Sequence, residues 1–136
     1  MNALDTNIIV RFLVRDDQSQ AESVYRLFKK AENEKKVFFV SSLVLLELLW
    51  VLESVYEISR HEILGALEEL LLLPILVFDD QPAVRSFLSI ARKNNIDLSD
   101  LLISLDTLSS GCDSVLTFDK KAAKSDFFTL LEKQDL

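Results

Sequence analysis

The sequence predicts an α/β domain built on a largely parallel sheet. Short apolar runs, such as residues 37–40 and 75–78, alternate with longer stretches of helical spacing. Those runs are apolar on both faces, as strands covered on both sides must be. Carboxylates punctuate them: Asp5 follows the first run and Asp119 the run before the last. At 136 residues the chain is expected to form one domain, 1–136, with a sheet of four to five strands and helices on both faces. In open sheets of this kind ligands sit at the carboxyl ends of strands, where the strand order reverses.

Residues 2–4 read as a short first strand, with Asp5 at its end, and Thr6 and Asn7 open a helix through Ile8, Ile9 and Phe12. Residues 18–34 have helical spacing, with Ala21, Val24, Tyr25, Phe28 and Ala31 on one face. A polar loop leads to the β-branched and aromatic run 37–40, a buried strand. Ser41 or Ser42 caps the next helix, 43–56, which is apolar around nearly its whole circumference. Such a helix is buried on several sides, and in a small domain one side is expected to meet another chain. Glu47 is the charge inside its apolar run. Ser59 with Glu62 three residues on reads as a capping box for a helix whose face is Ile63, Leu64, Leu67, Leu70 and Leu71.

Pro74 ends that helix, and 75–78 is the third strand. Asp79 or Asp80 caps a helix starting near Pro82, with Val84, Phe87, Leu88 and Ala91 facing inward and Asn94 and Asn95 closing it. Residues 97–110 form another helix, stopped by Gly111 at the C′ position. A strand over 114–118, a lysine-rich turn at 120–124, a short last strand at 127–130 and a tail at 132–136 complete the chain.

Composition excludes several classes. Hydrophobic residues make up 49% of the chain with only two Gly and two Pro, which rules out disorder and linker-rich designs. A net charge of −7 disfavours broad electrostatic binding to nucleic acid or anionic membranes, although a local basic rim stays compatible with it. No apolar run is long enough to span a bilayer, and no basic segment precedes an apolar one at the start, so neither membrane insertion nor a signal peptide is expected. A lone Cys112, read as a small buried filler, gives no disulfide framework, and a cytoplasmic location is the expectation. With one Cys and one His, His61, a zinc site of the usual nitrogen and sulfur type is not expected, and neither Ser–His nor Cys–His catalysis has its parts.

What is left is a set of acids. Asp5, Glu47, Asp100 and Asp119 each stand beside apolar residues at an element end or on an apolar helix. Hard oxygen ligands without His or Cys suit Mg²⁺ or Mn²⁺. Each acid also has a plainer reading: Asp5, Asp97 and Asp119 as helix caps, Asp100 as a first-turn residue near the helix dipole, and Glu47 as half of an ion pair. The joint pattern is more specific than any member of it. Thr6 and Thr117 are candidates for supporting the carboxylates, Thr117 standing two before Asp119. Arg11, Arg15, Lys120, Lys121 and Lys124 could steer a phosphate backbone locally.

Leu4-Asp5-Thr6-Asn7, Glu47 followed by Trp50-Val51-Leu52, the run Asp97 to Ser104, and Gly111-Cys112 leading to Thr117-Phe118-Asp119-Lys120-Lys121 together resemble a PIN domain, and within that family a VapC-type ribonuclease toxin. The resemblance covers nearly the whole chain. It implies strand order 3-2-1-4-5 and binding of Mg²⁺ or Mn²⁺ by Asp5, Glu47, Asp100 and Asp119 with Thr117 in support; beside it, Thr6 and Asp97 are assigned to the support of these acids and Arg11, Lys120 and Lys121 to substrate binding. It also implies homodimers and an antitoxin whose C-terminal segment covers the active site. Family members often carry Ala after the third acid, where this chain has Leu101, a conservative departure. The alternatives are a phospho-accepting receiver module, which wants two adjacent acids after its first strand where this chain has Asp5-Thr6, and a non-catalytic interaction protein whose acids are all caps. A dehalogenase-like phosphatase would want an Asp where Asn7 stands.

Overall fold

A computed structural model describes residues 1–132 and divides the chain into two compact units, Met1–Gln81 and Pro82–Leu136. The tail expected at 132–136 lies outside the described residues from position 133 onward.

The first unit holds β1 (Asn2–Ala3), α1 (Thr6–Val14), α2 (Gln18–Glu34), β2 (Phe38–Val40), α3 (Ser42–Trp50), α4 (Arg60–Leu71) and β3 (Leu76–Phe78). Its strands are parallel, in the order β1-β2-β3, with Phe38 opposite both Asn2 and Leu76. β2 is central and its end residues Phe38 and Val40 are buried, whereas Val37, expected to begin the buried strand, lies outside it and is exposed. Because the strands are parallel, their carboxyl ends lie along one edge of the sheet, where Asp5, Ser41 and Asp79 follow β1, β2 and β3. Asp79 donates its backbone N–H to the Val40 carbonyl and accepts from the Ser42 hydroxyl at 3.2 Å.

Ala21, Val24, Phe28 and Ala31 form the buried face of α2 as their spacing predicts, and Phe28 stacks obliquely between Phe12 and Phe38. Tyr25, expected on that face, is exposed; it lies one position round from Val24, at the edge of the stripe. Ser41 caps α3 by accepting from the Val44 N–H, and Ser59 caps α4 by accepting from Glu62.

The helix expected over 43–56 is in fact two segments. α3 stops at Trp50, and Val51–Val55 is π-helical, closed by the Tyr56 N–H donating to the Val51 carbonyl. Hydrophobic periodicity cannot separate the two windings over five residues, since the whole stretch is apolar. The wider turn ends at Tyr56, whose hydroxyl donates to Asp16 at 2.8 Å and accepts from Arg11 at 3.2 Å.

The second unit holds α5 (Gln81–Ala91) apart from its first residue, α6 (Leu98–Ser109), β4 (Val115–Thr117), a single 3₁₀ turn at Ala122–Lys124 and β5 (Phe128–Leu130). α6 runs from an Asp97 cap to Gly111, whose φ of 90° is the left-handed conformation that a side chain would resist. β4 and β5 pair in parallel, Val115 opposite Phe128. Cys112, expected to be buried, is exposed, because it falls in the turn after α6 rather than in a strand.

The pairings therefore reproduce the 3-2-1 and 4-5 portions of the expected order as a three-stranded and a two-stranded sheet, in place of one continuous sheet. The reason lies in length: β1 is two residues long with both of them exposed, and offers little edge for a further ladder.

Candidate active site

In the first unit Asp5 caps α1, its Oδ1 accepting the Thr6 backbone N–H at 2.8 Å. An Asp5 carboxylate at the centre of the domain would be costly to desolvate, but this one is exposed. So short a first strand delivers it to the rim of the sheet, and no buried counter-charge is needed. Thr6 is the opposite case. It is 2% exposed, and its Oγ1 has no hydrogen-bond partner among the described residues. A buried polar atom of this kind marks a place where an ion or ordered water completes the bonding.

Glu47 lies exposed on α3, which packs against α1. Leu43, four residues before it, and Trp50, three after, share its side of the helix and are 79% and 58% exposed. The over-apolar helix therefore does leave one side open, and Glu47 is set within that side. Arg11 is engaged locally: it donates to Gln20 at 2.6 Å, to Asp16 at 3.1 Å and to the Tyr56 hydroxyl. The Tyr56 bond first and the Asp16 charge after it raise its pKa further above the ordinary value.

In the second unit the acids come together. Asp97 caps α6 through Oδ2, accepting the Asp100 backbone N–H at 3.1 Å. Asp100, half-buried one turn on, has its carboxyl pKa raised, first by burial, then by the negative charges of Asp97 and Asp119. Asp119 follows β4. Its Oδ1 accepts the backbone N–H groups of Lys121 and Ala122, at 2.8 and 3.2 Å, and so starts the 3₁₀ turn. Thr117 supports Asp119 through the main chain: its hydroxyl accepts the Asp119 N–H at 3.0 Å. The strand ends at Thr117, so the alternation expected to bring the Thr117 and Asp119 side chains to one face does not carry that far.

All three carboxylates line a cavity of about 850 Å³ within this unit. Lys121 and Lys124 line it too, whereas Lys120 is exposed outside the lining. Asn95 and Phe127 also line it, and neither stood out in the sequence, where Asn95 read as a helix stop and Phe127 as a strand residue. Arg15 is exposed at the left-handed end of α1, and His61 is solvated as expected.

The donor chemistry fits a hard divalent cation. In the second unit Asp100 carries a charge penalty that a cation would relieve. Among the described residues no three His, Cys, Asp or Glu side chains form a group that could hold an ion unaided. Mg²⁺ does not demand one: it commonly takes one or two carboxylates and keeps water or substrate phosphate in its other positions.

The chain is 25% identical over 130 residues to a protein of Aquifex aeolicus named VapC ribonuclease, with 96% of each chain covered. No solved structure matches it significantly. The sequence model of the PIN domain family matches residues 3–127, nearly the whole length, and the chain therefore belongs to the PIN domain family.

Proposed function

We propose that this chain is a Mg²⁺- or Mn²⁺-dependent endoribonuclease, the toxin of a toxin–antitoxin pair, acting in the cytoplasm as a homodimer. The match to the PIN family over residues 3–127 carries the reading, and the likeness to a protein named VapC ribonuclease narrows it. Family membership also removes the receiver-module alternative. No helix among the described residues is long and apolar enough to cross a membrane.

The metal-binding role is assigned to Asp5, Glu47, Asp100 and Asp119, with Thr6, Asp97 and Thr117 in support. Bound to such acids, the cation would supply an acidified water for attack on the scissile phosphate and relieve charge on its oxygens. Asp119 is held rigid by two main-chain N–H groups, so its orientation is set before any ligand arrives. Lys121, on the cavity wall, and Lys120, beside it, would draw the phosphate backbone in despite the acidic whole. Arg11, tied to Asp16 and Tyr56, would steady the helix that carries Asp5 and add positive potential. The exposed pair Leu43 and Trp50 is the surface assigned to a second copy or to the antitoxin.

The test is cleavage of an RNA oligonucleotide by the purified chain with Mn²⁺, with Mg²⁺, and with chelator. Cleavage that needs the cation and is lost in Asp5→Asn, with the circular-dichroism spectrum unchanged, supports the assignment. Full activity of the variant, or of the wild type in chelator, rejects it.

A further inference from the structure

We propose that the cavity of the second unit is a subsite for one unpaired RNA nucleotide, with Phe127 stacking on the base, Lys121 and Lys124 holding the phosphate on its far side, and Asn95 reading the base edge. This rests on the ribonuclease reading above and names the groups that would select the substrate.

Two chemically distinct kinds of side chain line the cavity. Asp100 and Asp119 are the acids assigned to the cation. Lys121 and Lys124 line it as well, and neither forms an ion pair among the described residues although carboxylates line the same cavity. Ammonium groups left unpaired beside acids are available to an incoming anion, and the repeating anion of an RNA chain fits both of them.

The aromatic residue decides between a phosphate alone and a nucleotide. Phe128, the first residue of β5, is 8% exposed, whereas Phe127, in the turn just before the strand, is half-exposed and lines the cavity. An accessible aromatic face beside cationic groups is the combination by which proteins hold splayed bases of single-stranded RNA. Asn95 supplies the polar component. Its neighbour Asn94 spends its side chain on the Ile90 carbonyl and the Ile96 N–H, whereas Asn95 is exposed and makes no side-chain hydrogen bond among the described residues. A free carboxamide offers a donor and an acceptor, enough to pair with one base edge. At about 850 Å³ the space lies in the range of small-ligand pockets, roughly 300–1,000 Å³, and so suits a nucleotide better than a helix or a duplex.

The experiment uses the full chain and single-stranded RNA octamers carrying 2-aminopurine at each position in turn, with chelator present to block cleavage. Wild type is expected to quench one position by stacking. Phe127→Leu should lose that quench and weaken binding about tenfold, Phe127→Tyr should restore both, and Asn95→Ala should broaden the base preference. With Mn²⁺ added, Phe127→Leu should raise KM by a similar factor and change kcat little. Quenching and KM at wild-type values in a folded Phe127→Leu, while wild type cuts RNA, overturn the subsite and leave the ribonuclease reading standing. Should Phe127→Leu fail to fold, Asn95→Ala decides: unchanged binding and cut-site preference reject the subsite. A wild type that quenches one position but never cuts retains the subsite and rejects the nuclease.

Discussion

The buried Thr6 hydroxyl gives the sharpest test of whether an ion or its water binds at the start of α1. Thr6 is 2% exposed and its Oγ1 has no partner among the described residues. A buried hydroxyl without a hydrogen bond costs about 1–3 kcal/mol in lost hydration. Val has the same shape, with a methyl in place of the hydroxyl, and a helix propensity close to that of Thr. Thr6→Val should therefore stabilise the ligand-free protein by about 1–2 kcal/mol, which for a chain of this length raises Tm by roughly 3–6 °C. Thermal melting followed by circular dichroism, in chelator, measures it. The same variant should gain less from Mn²⁺ than wild type does, because the hydroxyl that would help hold the bound ion or its water is gone. A Thr6→Val protein that melts several degrees below wild type in chelator, with an undiminished Mn²⁺ shift, would show that the hydroxyl already has a partner, such as an ordered water, in the metal-free protein.

Asp100→Asn should stabilise the protein at neutral pH by a few tenths to about 1 kcal/mol, the scale of removing like-charge contacts. The folded pKa of Asp100 is raised, so its ionised form costs stability above that pKa, and the cost fades as pH falls through it. Urea melts of wild type and variant should therefore diverge at neutral pH and converge in acid; a constant gap across that range would refute the assignment. Cation affinity of wild type, measured by calorimetry, should fall over the same acid range, because the ligand must be deprotonated. Tyr56→Phe removes the hydroxyl shared by Asp16 and Arg11 and should cost about 0.5–1.5 kcal/mol, read as a lower urea midpoint at constant slope. Trp50→Ala, at a side chain already 58% exposed, should weaken assembly more than it weakens catalysis per subunit. Sedimentation showing a monomer at high concentration, alone and with the partner, would remove the basis for that prediction.

Much of the fold was legible because burial writes a pattern. The run containing β2 is apolar throughout because the strand is central to its sheet, and the serines at 41 and 59 stand where helices begin because their hydroxyls meet orphan N–H groups. Asp97 and Gly111 bracket α6 for the same kind of reason. The π-helical turn was not legible, because winding leaves no trace in a stretch that is apolar at almost every position. Nor were the exposure of Asp5 and Cys112, which depend on where a short strand and a turn happen to end. At the candidate site the acids could be read from their apolar neighbours, and Lys121 and Lys124 from their clustering. Asn95 and Phe127 could not: their part in the cavity comes from the return of the chain after β4, and a local sequence window does not contain it.

The plain and the functional readings of these acids exclude each other less than their sequence suggests. A carboxylate has two oxygens, and a helix cap uses one. Asp5 accepts through Oδ1 alone, and Asp119 gathers two N–H groups on Oδ1, leaving its other oxygen without a bond among the described residues. Capping therefore fixes the rotamer and aims the second oxygen, which is what a cation ligand on a small scaffold requires. Asp100 completes the contrast. It makes no side-chain hydrogen bond among the described residues, stands half-buried, and faces two like charges. The caps settle geometry while Asp100, half-buried beside two like charges, holds charge that an arriving cation would relieve, so the capping acids and Asp100 contribute different things to a bound ion.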